Sequence, residues 1–506
     1  MDLIVITLII TVSFVILSFT SLVHKKPKGG KYLKSLPSFP FIGSLLSLRS
    51  NLPAHLLLQS FQKDYGDLFS LMIGHQYVVV INHYRYAKEV LAKKGMIFAG
   101  RANTVTTNLL SRDGKGIAFA NISPAWRFHR KLVHSHFYTA RSGKETLEEI
   151  ICKEAALICS NFEQLVASPV DIMINLTWFL ANVIGMLCFN STHERDDPEF
   201  LKVLKYKQGI VETVRGGHLL DTFSWLKYFP SERLQALKRS LAIRESILTK
   251  KFEEHKANFK SDSVKDLTDA MLKAQENAKT NSLLPGPQLT DDHLMATMGD
   301  IYGAGLETMS IIHTWLLFYL LLHPEIQSKI QEEIDNNIGF ERAPKLSDRK
   351  NLHFLNATIS ETLRIQPVAP LLIPHVALVD TSIGGYTIPK GTQVTINLWA
   401  IHHDEKEWKN PGVFDPTRFL SKEGKHTHPP SPSFMPFGAG PRICVGEALT
   451  KMQLFLFFAT FLQRFSVEFP PGQQLTDLKR KFRIVQQPGD FKVQLKSRKK
   501  WRGCTP

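Results

Sequence analysis

A single cysteine in a glycine-rich loop near the C-terminus is the feature that most limits how this chain can fold. The loop is Phe437-Gly-Ala-Gly440-Pro-Arg442-Ile-Cys444-Val-Gly446. Gly440 and Gly446 let the backbone pass close beneath a flat ring and turn amide donors toward the sulfur. A thiolate presented in this way suits haem iron and favours cleavage of dioxygen. We expect Phe437 to pack beside the sulfur and Arg442 to bind a haem propionate.

The alternative for this loop is a buried free cysteine beside an ordinary turn. Five fixed residue types at this spacing match by chance with a probability on the order of 1 in 10^4 for a chain of this length. The loop resembles the haem-binding signature of the cytochrome P-450 superfamily. The resemblance implies haem b with its iron bound by Cys444 and a mainly α fold with small β-sheets (α+β). It also implies a monooxygenase that uses NADPH indirectly, through NADPH-cytochrome P-450 reductase.

The N-terminus predicts a membrane anchor. Leu3–Val23 is almost entirely apolar and uncharged, and about 20 such residues span the hydrocarbon layer of a bilayer. Several lysines follow this run, whereas a cleaved signal peptide carries its positive charge before it. We therefore predict an uncleaved transmembrane helix. A second apolar stretch, Trp315–Leu322, is too short to span a bilayer.

The position of the lysines also predicts the topology. By the positive-inside rule they stay in the cytosol, which gives a luminal N-terminus and a cytosolic catalytic domain at the endoplasmic reticulum membrane. The prolines of Leu36-Pro37-Ser38-Phe39-Pro40 favour a stiff, extended link. The predicted domains are the anchor at 1–24, a basic and proline-rich hinge at 25–45, and the catalytic domain at 46–506.

Composition restricts the function classes. The chain has 506 residues, of which 43% are hydrophobic, and this suffices for one large core. Its formal charge of +16 suits an anionic membrane surface or an acidic protein partner. No zinc-finger spacing, RNA-binding signature or dense arginine stripe accompanies the charge, so nucleic acid is not a predicted partner. Five cysteines are an odd and sparse set, which argues against a disulfide framework.

Periodicity predicts the main secondary structure. Alternating apolar residues predict strands at Leu68–Ile73 and Tyr77–Ile81. Residues 145–280 have the pattern of successive amphipathic helices. Within them, 218–230 is unusually apolar for a connector and is either a membrane-facing segment or a core contact. Residues 261–287 are polar and end in a proline-glycine sequence, which predicts a flexible connection.

One long helix is predicted from 290 to 323, because Thr-Asp-Asp opens it and Pro324 favours the start of the next helix. Its centre is Ala304-Gly305-Leu306-Glu307-Thr308, although glycine is unfavourable in a helix by about 1 kcal/mol. The small pair leaves room for a planar ring and a diatomic ligand. Thr308 with Glu307 is suited to relaying protons to oxygen. The alternative is a packing glycine beside a capped polar pair.

A Glu-x-x-Arg motif supports the superfamily resemblance. Glu361 and Arg364 share one helical face at i and i+3, and their motif lies between the long helix and the cysteine loop. The spacing alone occurs about once by chance in such a chain. The resemblance implies a structural ionic triad with Arg418 beneath the haem.

Further residues are implied to bind the haem propionates. Trp126 and Arg130 match a Trp-x-x-x-Arg helix whose two ends hold a propionate in the superfamily. Arg101 and His375 are further expected partners, with a surface position as the alternative for each.

Other chemistries fail on spacing. His193-Glu194 has Asp197 where a zinc-protease helix needs its second histidine. Gly438-Ala-Gly440 lacks the third glycine of a dinucleotide fold, and there is no Gly-x-Ser-x-Gly elbow or Walker loop. Electrons must therefore come from a partner protein. No cysteine–histidine metal set is formed by His402, His403, His426 and His428.

Long stretches are similar to the vertebrate steroid 17α-hydroxylase/17,20-lyase family over nearly the whole chain. They are Gly116–Ala120, Gly299–Gly305, Pro367–His375 and Ile396–Ala400. The resemblance implies a flat apolar pocket over the iron that takes a steroid edge-on. The expected pocket residues, which sequence does not separate from ordinary core, are Ala118, Phe119, Ala304, Gly305, Val368, Ala369, Ile373 and Val485.

Two departures carry predictions, one from that family at Ser360 and one from the P-450 superfamily at Met309. Ser360 stands where an arginine typically helps to dock cytochrome b5, although Arg349 is retained. Losing one cation weakens a charge-steered encounter, so we expect C17 hydroxylation of pregnenolone or progesterone with weak 17,20-lyase activity. Met309 replaces a second hydroxyl after Thr308, which predicts altered proton delivery or pocket shape.

Three alternatives remain open on the sequence. A steroid 21-hydroxylase or a broad xenobiotic monooxygenase differs in regiochemistry. A haem enzyme that isomerises peroxides would not need Glu307 and Thr308. A haem-based sensor or carrier, which is not an enzyme, would bind carbon monoxide without turnover.

Overall fold

The computed structural model describes Thr7 and residues 10–13, 30–139, 141–142, 145–166, 168–213, 219–280, 289–427, 429–472 and 491–498. These residues form a mainly α-helical body with small β-sheets, which confirms the predicted fold class. Most of the predicted anchor Leu3–Val23 lies outside the described residues, and the described part of it is helical.

Most of the α-helices lie in the middle of the chain. The helices are α1 (Ala54–Ser60), α2 (Gln62–Tyr65), α3 (Tyr84–Lys88), α4 (Val105–Ser111), α5 (Pro124–Thr139), α6 (Leu147–Glu163), α7 (Ile172–Phe189), α8 (Pro198–Thr213), α9 (Leu219–Thr222), α10 (Glu232–Asn258), α11 (Leu267–Thr280), α12 (Asp291–Leu322), α13 (Pro324–Asn337), α14 (His353–Ile365), α15 (Leu398–His402) and α16 (Glu447–Arg464). The strands are β1 (Leu68–Ile73), β2 (Gln76–Ile81), β3 (Arg141–Ser142), β4 (Glu145–Thr146), β5 (Val170–Asp171), β6 (His375–Val376), β7 (Thr381–Ile383), β8 (Tyr386–Ile388), β9 (Gln393–Ile396), β10 (Phe465–Glu468) and β11 (Lys492–Ser497).

The largest sheet has the order β1-β2-β9-β6. Strands β1 and β2 form the predicted antiparallel pair, with Leu68 opposite Ile81. Strand β9 joins β2 in parallel, and β6 completes the sheet in antiparallel orientation. Val79, Val80 and Ile81 are fully buried because helices and loops cover the sheet. The sheet thereby fixes the position of His375 at the start of β6.

The predicted hinge is partly wrong, because its second half belongs to the folded body. Leu33 and Leu36 are buried in two core clusters. The Leu36 amide donates to the Ser70 carbonyl oxygen (3.0 Å), and the Ser44 amide donates to that of Met72 (2.6 Å). Two apolar side chains are enough to hold this extended segment against β1, so the globular domain begins near residue 33 rather than 46.

Helix α12 confirms the predicted long helix. Thr290 is its N-cap, His323 is its C-cap, and Pro324 opens α13. Among the described residues, α7 and α12 are long and apolar enough to span a bilayer, but most of each is buried inside the protein. Most of the apolar Trp315–Leu322 stretch is accordingly buried in the core.

Helix α11 contradicts the predicted flexible connection at 261–287. Leu267, Met271 and Leu272 are buried in the main core. Their i, i+4, i+5 spacing forms one apolar stripe, which stabilises a helix despite the polar composition around it. The remainder of that segment, 281–288, lies outside the described residues.

Candidate functional site

The cysteine loop is held close to the body of the protein by its glycines. Gly440 has a φ of 69°, and a Cβ there would overlap the carbonyl oxygen of Leu91. The Cys444 amide donates to the Phe437 carbonyl oxygen (2.9 Å), which closes the loop. Helix α16 begins directly after Gly446. The loop therefore tolerates only glycine at 440, and it fixes where the cysteine lies.

The sulfur of Cys444 opens onto interior space. Its side chain is exposed, yet desolvation by the surrounding protein raises the pKa of the thiol, while a hydrogen bond from the Gly446 amide and the charge of Arg130 oppose this rise. Both features together describe a cavity inside the protein rather than a surface. The Gly446 amide is the predicted donor to the sulfur.

Beside this loop lie three arginines, Arg101, Arg130 and Arg442, which we call the guanidinium cluster. Burial and the neighbouring charges of the other two lower the pKa of Arg101 to about 9. Burial, followed by the charge of Arg130, lowers that of Arg442 to about 10. No carboxylate in the described part of the chain forms an ion pair with any of the three. Three neighbouring cations without a carboxylate partner, of which Arg101 is buried and the other two are half-buried, fit the two propionates of haem.

The cluster also joins the separate parts of the site through backbone carbonyls. Arg442 donates to the carbonyl oxygens of Ala99 (2.6 and 2.9 Å) and Ala120 (2.6 Å). Arg101 donates to those of Ala118 (3.1 Å), Ile373 (2.9 Å) and Pro374 (2.8 Å). Arg130 donates to the carbonyl of Ile443, next to the cysteine.

Two predicted propionate partners are oriented differently from the prediction. The indole N–H of Trp126 donates to the Ile117 carbonyl oxygen (2.9 Å), and its ring lies 4.3 Å from the guanidinium of Arg442. Nδ1 of His375 lies 2.8 Å from the Phe98 carbonyl oxygen, which can only accept, so Nδ1 carries the proton. Burial lowers the pKa of His375 to about 3. The neutral ring therefore has no second proton to donate.

On α12, Ala304 and Thr308 are exposed one turn apart, so they present one face. The Thr308 hydroxyl donates to the Ala304 carbonyl oxygen (2.8 Å). A Cβ at Gly305 would lie 2.6 Å from Cδ1 of Ile184 on α7. The packing alternative for Gly305 is thus present in the structure, and its contact with a ligand stays a prediction. Met309 is buried in the main core, away from the exposed face.

Lys207 on α8 is a residue that the sequence did not single out. Its ammonium donates to Oγ1 of Thr177 (2.8 Å) and lies 3.4 Å from the sulfur of Met173. Burial lowers the pKa of Lys207 to about 8, while the charge of Glu307 opposes the shift. No sequence signal distinguishes it, because α8 also carries solvated lysines. Glu307, the residue before Thr308, therefore lies in the electric field of the Lys207 ammonium group.

The expected pocket residues come from α12 and two further segments. Ala118 and Phe119 are half-buried, and Ala369 and Ile373 are exposed on a loop after α14, with Val368 half-buried beside them. Oδ2 of Asp300 accepts from the amides of Ile117 (2.7 Å) and Ala118 (2.9 Å), which ties the first segment to α12. Burial raises the pKa of Asp300 to about 6. Val485 lies outside the described residues.

The predicted ionic triad, Glu361, Arg364 and Arg418, is present. Both oxygens of Glu361 accept from Arg364 at 2.7 Å, and Nε of Arg418 lies 3.4 Å from Oε1 of Glu361. The Glu361 and Arg364 side chains are 0% exposed. Arg364 also donates to the carbonyl oxygens of His402 (2.8 Å) and Pro411 (2.9 Å). This arrangement agrees with a structural role.

Ser360 is turned toward a small cavity that Arg349, His426 and Lys451 also line. Its hydroxyl donates to the Asn356 carbonyl oxygen (2.9 Å) and lies 3.1 Å from Nε2 of His426. Nε of Arg349 donates to Oδ1 of Asn356 (3.0 Å). The position of the missing arginine therefore lies beside the retained one.

Comparison with known proteins agrees with this geometry. The sequence model of the family described as Cytochrome P450 matches residues 33–495. The chain is 59% identical over 502 residues to the steroid 17-alpha-hydroxylase/17,20 lyase of Squalus acanthias, covering 99% of each chain. It is 53% identical to that of Gallus gallus over 471 residues, or 93% of each chain. A structure of a zebra fish cytochrome P450 with progesterone superposes with a TM-score of 0.79 at 41% identity, covering 88% of this chain and all of that one. The chain therefore belongs to the cytochrome P450 family.

Proposed function

We propose that this monooxygenase hydroxylates C21 steroids, pregnenolone and progesterone, at C17 with dioxygen and electrons from a reductase. The observation that carries the proposal is the exposed Cys444 sulfur in interior space beside the guanidinium cluster. Similarity to proteins named steroid 17-alpha-hydroxylase/17,20 lyase, and to a structure with progesterone, supports the steroid class.

Cys444 would hold haem by its iron, Arg101, Arg130 and Arg442 would bind the propionates, and the bound haem would supply the chemistry that activates dioxygen. The glycine-restricted loop holds the sulfur in position, and the Gly446 amide makes the thiolate less basic. Pairing with propionates would relieve the mutual repulsion that lowers the pKa of Arg101. Binding and orientation of the cofactor thus follow from the charges of this chain.

Thr308 and Glu307 on α12 would supply protons for the activation of dioxygen. The hydroxyl of Thr308 donates to the Ala304 carbonyl oxygen, and it can instead donate toward a ligand by rotating about χ1. Glu307 is half-buried and interacts electrostatically with Lys207. Once it is protonated from solvent, its carboxyl group could donate a proton to the Thr308 hydroxyl as that hydroxyl gives up its own, which is the relay that oxygen activation needs.

The apolar segments on either side of α12 would position the steroid. Ala118 and Phe119 are fixed by Asp300, while the exposed Ala369 and Ile373 belong to a loop that Arg101 fixes. These side chains offer apolar area with few polar groups, as a flat hydrocarbon skeleton requires. The alternatives, a 21-hydroxylase or a xenobiotic monooxygenase, differ in which carbon lies over the iron.

A basic groove near the cysteine loop supports docking of an acidic redox partner, which we propose to be NADPH-cytochrome P-450 reductase. The groove has a volume of about 610 Å³ and is open to solvent. Complementary charge would steer the partner to the side of the protein that carries the thiolate. Its lining residues are Met96, Trp126, Arg127, Arg130, Lys131, His134 and Pro441.

An exposed apolar patch supports residence at the endoplasmic reticulum membrane with the predicted luminal N-terminus. Trp225, Tyr228 and Phe229 are between 56% and 78% exposed. A Cβ at Gly74 would lie 2.9 Å from Thr222, at the end of α9, and 3.7 Å from the Phe41 carbonyl oxygen, so the patch adjoins the N-terminal segment. Clustered exposed aromatics are typical of a membrane-facing surface.

We also propose that 17,20-lyase activity is weak, because Ser360 brings no positive charge to the surface beside Arg349. Wild-type enzyme reconstituted with reductase and cytochrome b5 should give 17-hydroxylated steroid with little C19 product. Ser360→Arg should raise the C19 fraction, whereas Ser328→Arg, which adds the same charge at an exposed position on α13, should not. Abundant C19 product from the wild type would contradict the proposal.

The main activity is tested by spectroscopy and product analysis. Reduced wild-type protein with carbon monoxide should show the Soret band of thiolate-ligated haem, and Cys444→Ser should lose it. The steroid product should carry its hydroxyl at C17, with consumption of NADPH only when the reductase is present. A product hydroxylated at C21, or carbon monoxide binding without turnover, would favour the alternatives.

A further inference from the structure

We propose that His193, Asp197 and Glu199 form a binding site for a transition-metal ion such as Zn²⁺, separate from the haem site. The three residues lie where the loop after α7 enters α8. The sequence shows here only an incomplete zinc-protease motif. Tertiary structure supplies the third donor, because the turn at Asp197 brings Glu199 back toward the histidine.

The donor atoms have a separation that suits one ion. Nδ1 of His193 lies 3.5 Å from Oδ2 of Asp197 and 3.8 Å from Oε2 of Glu199. Zinc bonds to nitrogen and oxygen of about 2.0–2.1 Å imply about 3.4 Å between neighbouring tetrahedral donors. The histidine and aspartate already fit, and the glutamate needs a shift of a few tenths of an ångström. A fourth position is left for water.

The histidine is the observation that points to a ligand. Its side chain is 4% exposed, and Nδ1 has no hydrogen-bond partner among the described residues. A buried nitrogen whose carboxylate neighbours lie at 3.5 and 3.8 Å is poorly satisfied, and a bound metal ion would satisfy it.

The backbone around the histidine is rigid, as metal sites require. The His193 amide donates to Oδ1 of Asn182 (2.9 Å). The His193 carbonyl oxygen accepts from Nε1 of Trp178 (2.8 Å) and from Nδ2 of Asn182 (3.2 Å). Both partners belong to α7, so the imidazole is held before any ion arrives.

Two lysines of α10 show that the carboxylates already attract cations. Lys250 forms an ion pair with Oε1 of Glu199, and Nζ of Lys251 lies 3.7 Å from Oε2 of the same residue. The Lys250 side chain is 58% exposed and can withdraw into solvent. Lys251 is 13% exposed, so it competes directly with a metal ion. Imidazole in the donor set favours zinc over magnesium, which prefers oxygen alone.

The test measures zinc binding to the haem-loaded full-length protein by competition with a chromophoric chelator. Asp197→Asn keeps the Oδ1 that accepts from the Glu199 amide (2.7 Å) but replaces the ligand oxygen by an amide group. We expect one zinc ion per chain, with affinity lowered at least about tenfold in Asp197→Asn. The matched control is Asp196→Asn, an exposed neighbour with the same charge change, which should bind as the wild type does. Magnesium at the same concentration should not bind.

A second variant tests whether Lys251 and the metal ion compete for the carboxylate of Glu199. Lys251→Met should tighten zinc binding by roughly twofold to fivefold, the range of a partly exposed charge pair. Absence of bound zinc in the wild type, or equal affinity in Asp197→Asn and Asp196→Asn, would overturn the proposal. If Lys251→Met bound zinc as the wild type does or more weakly, the Lys251 ammonium and the metal ion would not compete for Glu199, and the proposed site geometry would be wrong.

Discussion

The ionic triad and the guanidinium cluster both bury arginines, but they differ in what neutralises the charge. In the triad, a carboxylate with 0% exposure binds Arg364 through both of its oxygens. In the cluster, the guanidinium groups donate to backbone carbonyls and repel one another, and this repulsion adds to the effect of burial on the pKa of Arg101.

The difference separates a structural group from a binding group. A buried arginine with its own carboxylate is complete, so nothing further needs to bind there. Arginines that lie close together and have carbonyl groups but no carboxylate as partners are stabilised when an anion arrives. The same residue type thus contributes to the stability of the fold in one region and to cofactor affinity in the other.

The largest effect is expected when the carboxylate of the triad is removed, and this change tests whether the triad is structural. Glu361→Gln leaves Arg364 as an uncompensated buried charge, and breaking a buried pair in this way is destabilising by about 3–5 kcal/mol. We expect a steep fall in folded, haem-containing protein, measured by thermal unfolding and by the yield of the carbon monoxide complex.

The matched control is Glu332→Gln on α13, where the side chain is exposed. A surface change of this kind should alter stability by no more than about 0.5 kcal/mol. If the two variants were equally stable, the triad would not contribute measurably to the stability of the fold.

In the guanidinium cluster the expected effect is smaller and falls on the cofactor. Arg101→Met removes one of the charges that would bind propionates, and charge-assisted hydrogen bonds contribute about 1.5–3 kcal/mol each. Haem should therefore be lost roughly 10- to 100-fold faster to excess apomyoglobin. Relief of repulsion at Arg442 partly offsets the lost hydrogen bonds to carbonyls, so the apoprotein should lose less stability than Glu361→Gln does.

Arg127→Met, on the exposed side of α5, is the control for the loss of one positive charge. It should retain haem as the wild type does, because long-range attraction between exposed charges is screened by salt. If both arginine variants lost haem at the same rate, the cluster would not be the group that binds the propionates.

The parts of the site that sequence predicted well are set by local chemistry. The glycines around Cys444, the i, i+3 spacing of Glu361 and Arg364, and the caps of α12 each act within a few residues. Such patterns constrain the backbone regardless of what packs against it. This is why the cysteine loop, the triad and the limits of the long helix were all predicted in the right places.

The features that the sequence did not reveal all depend on distant contacts. Trp126 and His375 donate to the carbonyls of Ile117 and Phe98, which sequence distance does not reveal. The second half of the hinge is held by burial against β1, and α11 by an apolar stripe within a polar segment. Lys207 could not be separated from solvated lysines, because its burial depends on α7 and α12 packing around it.

The smallest expected effect is at Asp300. This residue is intermediate between the triad and the guanidinium cluster, because its carboxylate is enclosed by protein and accepts mainly from backbone amides. Its folded pKa of about 6 lies above the ordinary value of 3.8 for an aspartate, so the folded state binds the proton more tightly. Its stabilising contribution is therefore present below pH 3.8 and is lost as pH rises through 6. Between pH 5 and pH 7 the wild type should lose about 1.3 kcal/mol of unfolding free energy that Asp300→Asn does not lose. Chemical denaturation of both proteins across this range measures the difference. Parallel pH profiles would show that burial does not raise the pKa of Asp300, because the amide donors, which lower this pKa, fully offset desolvation.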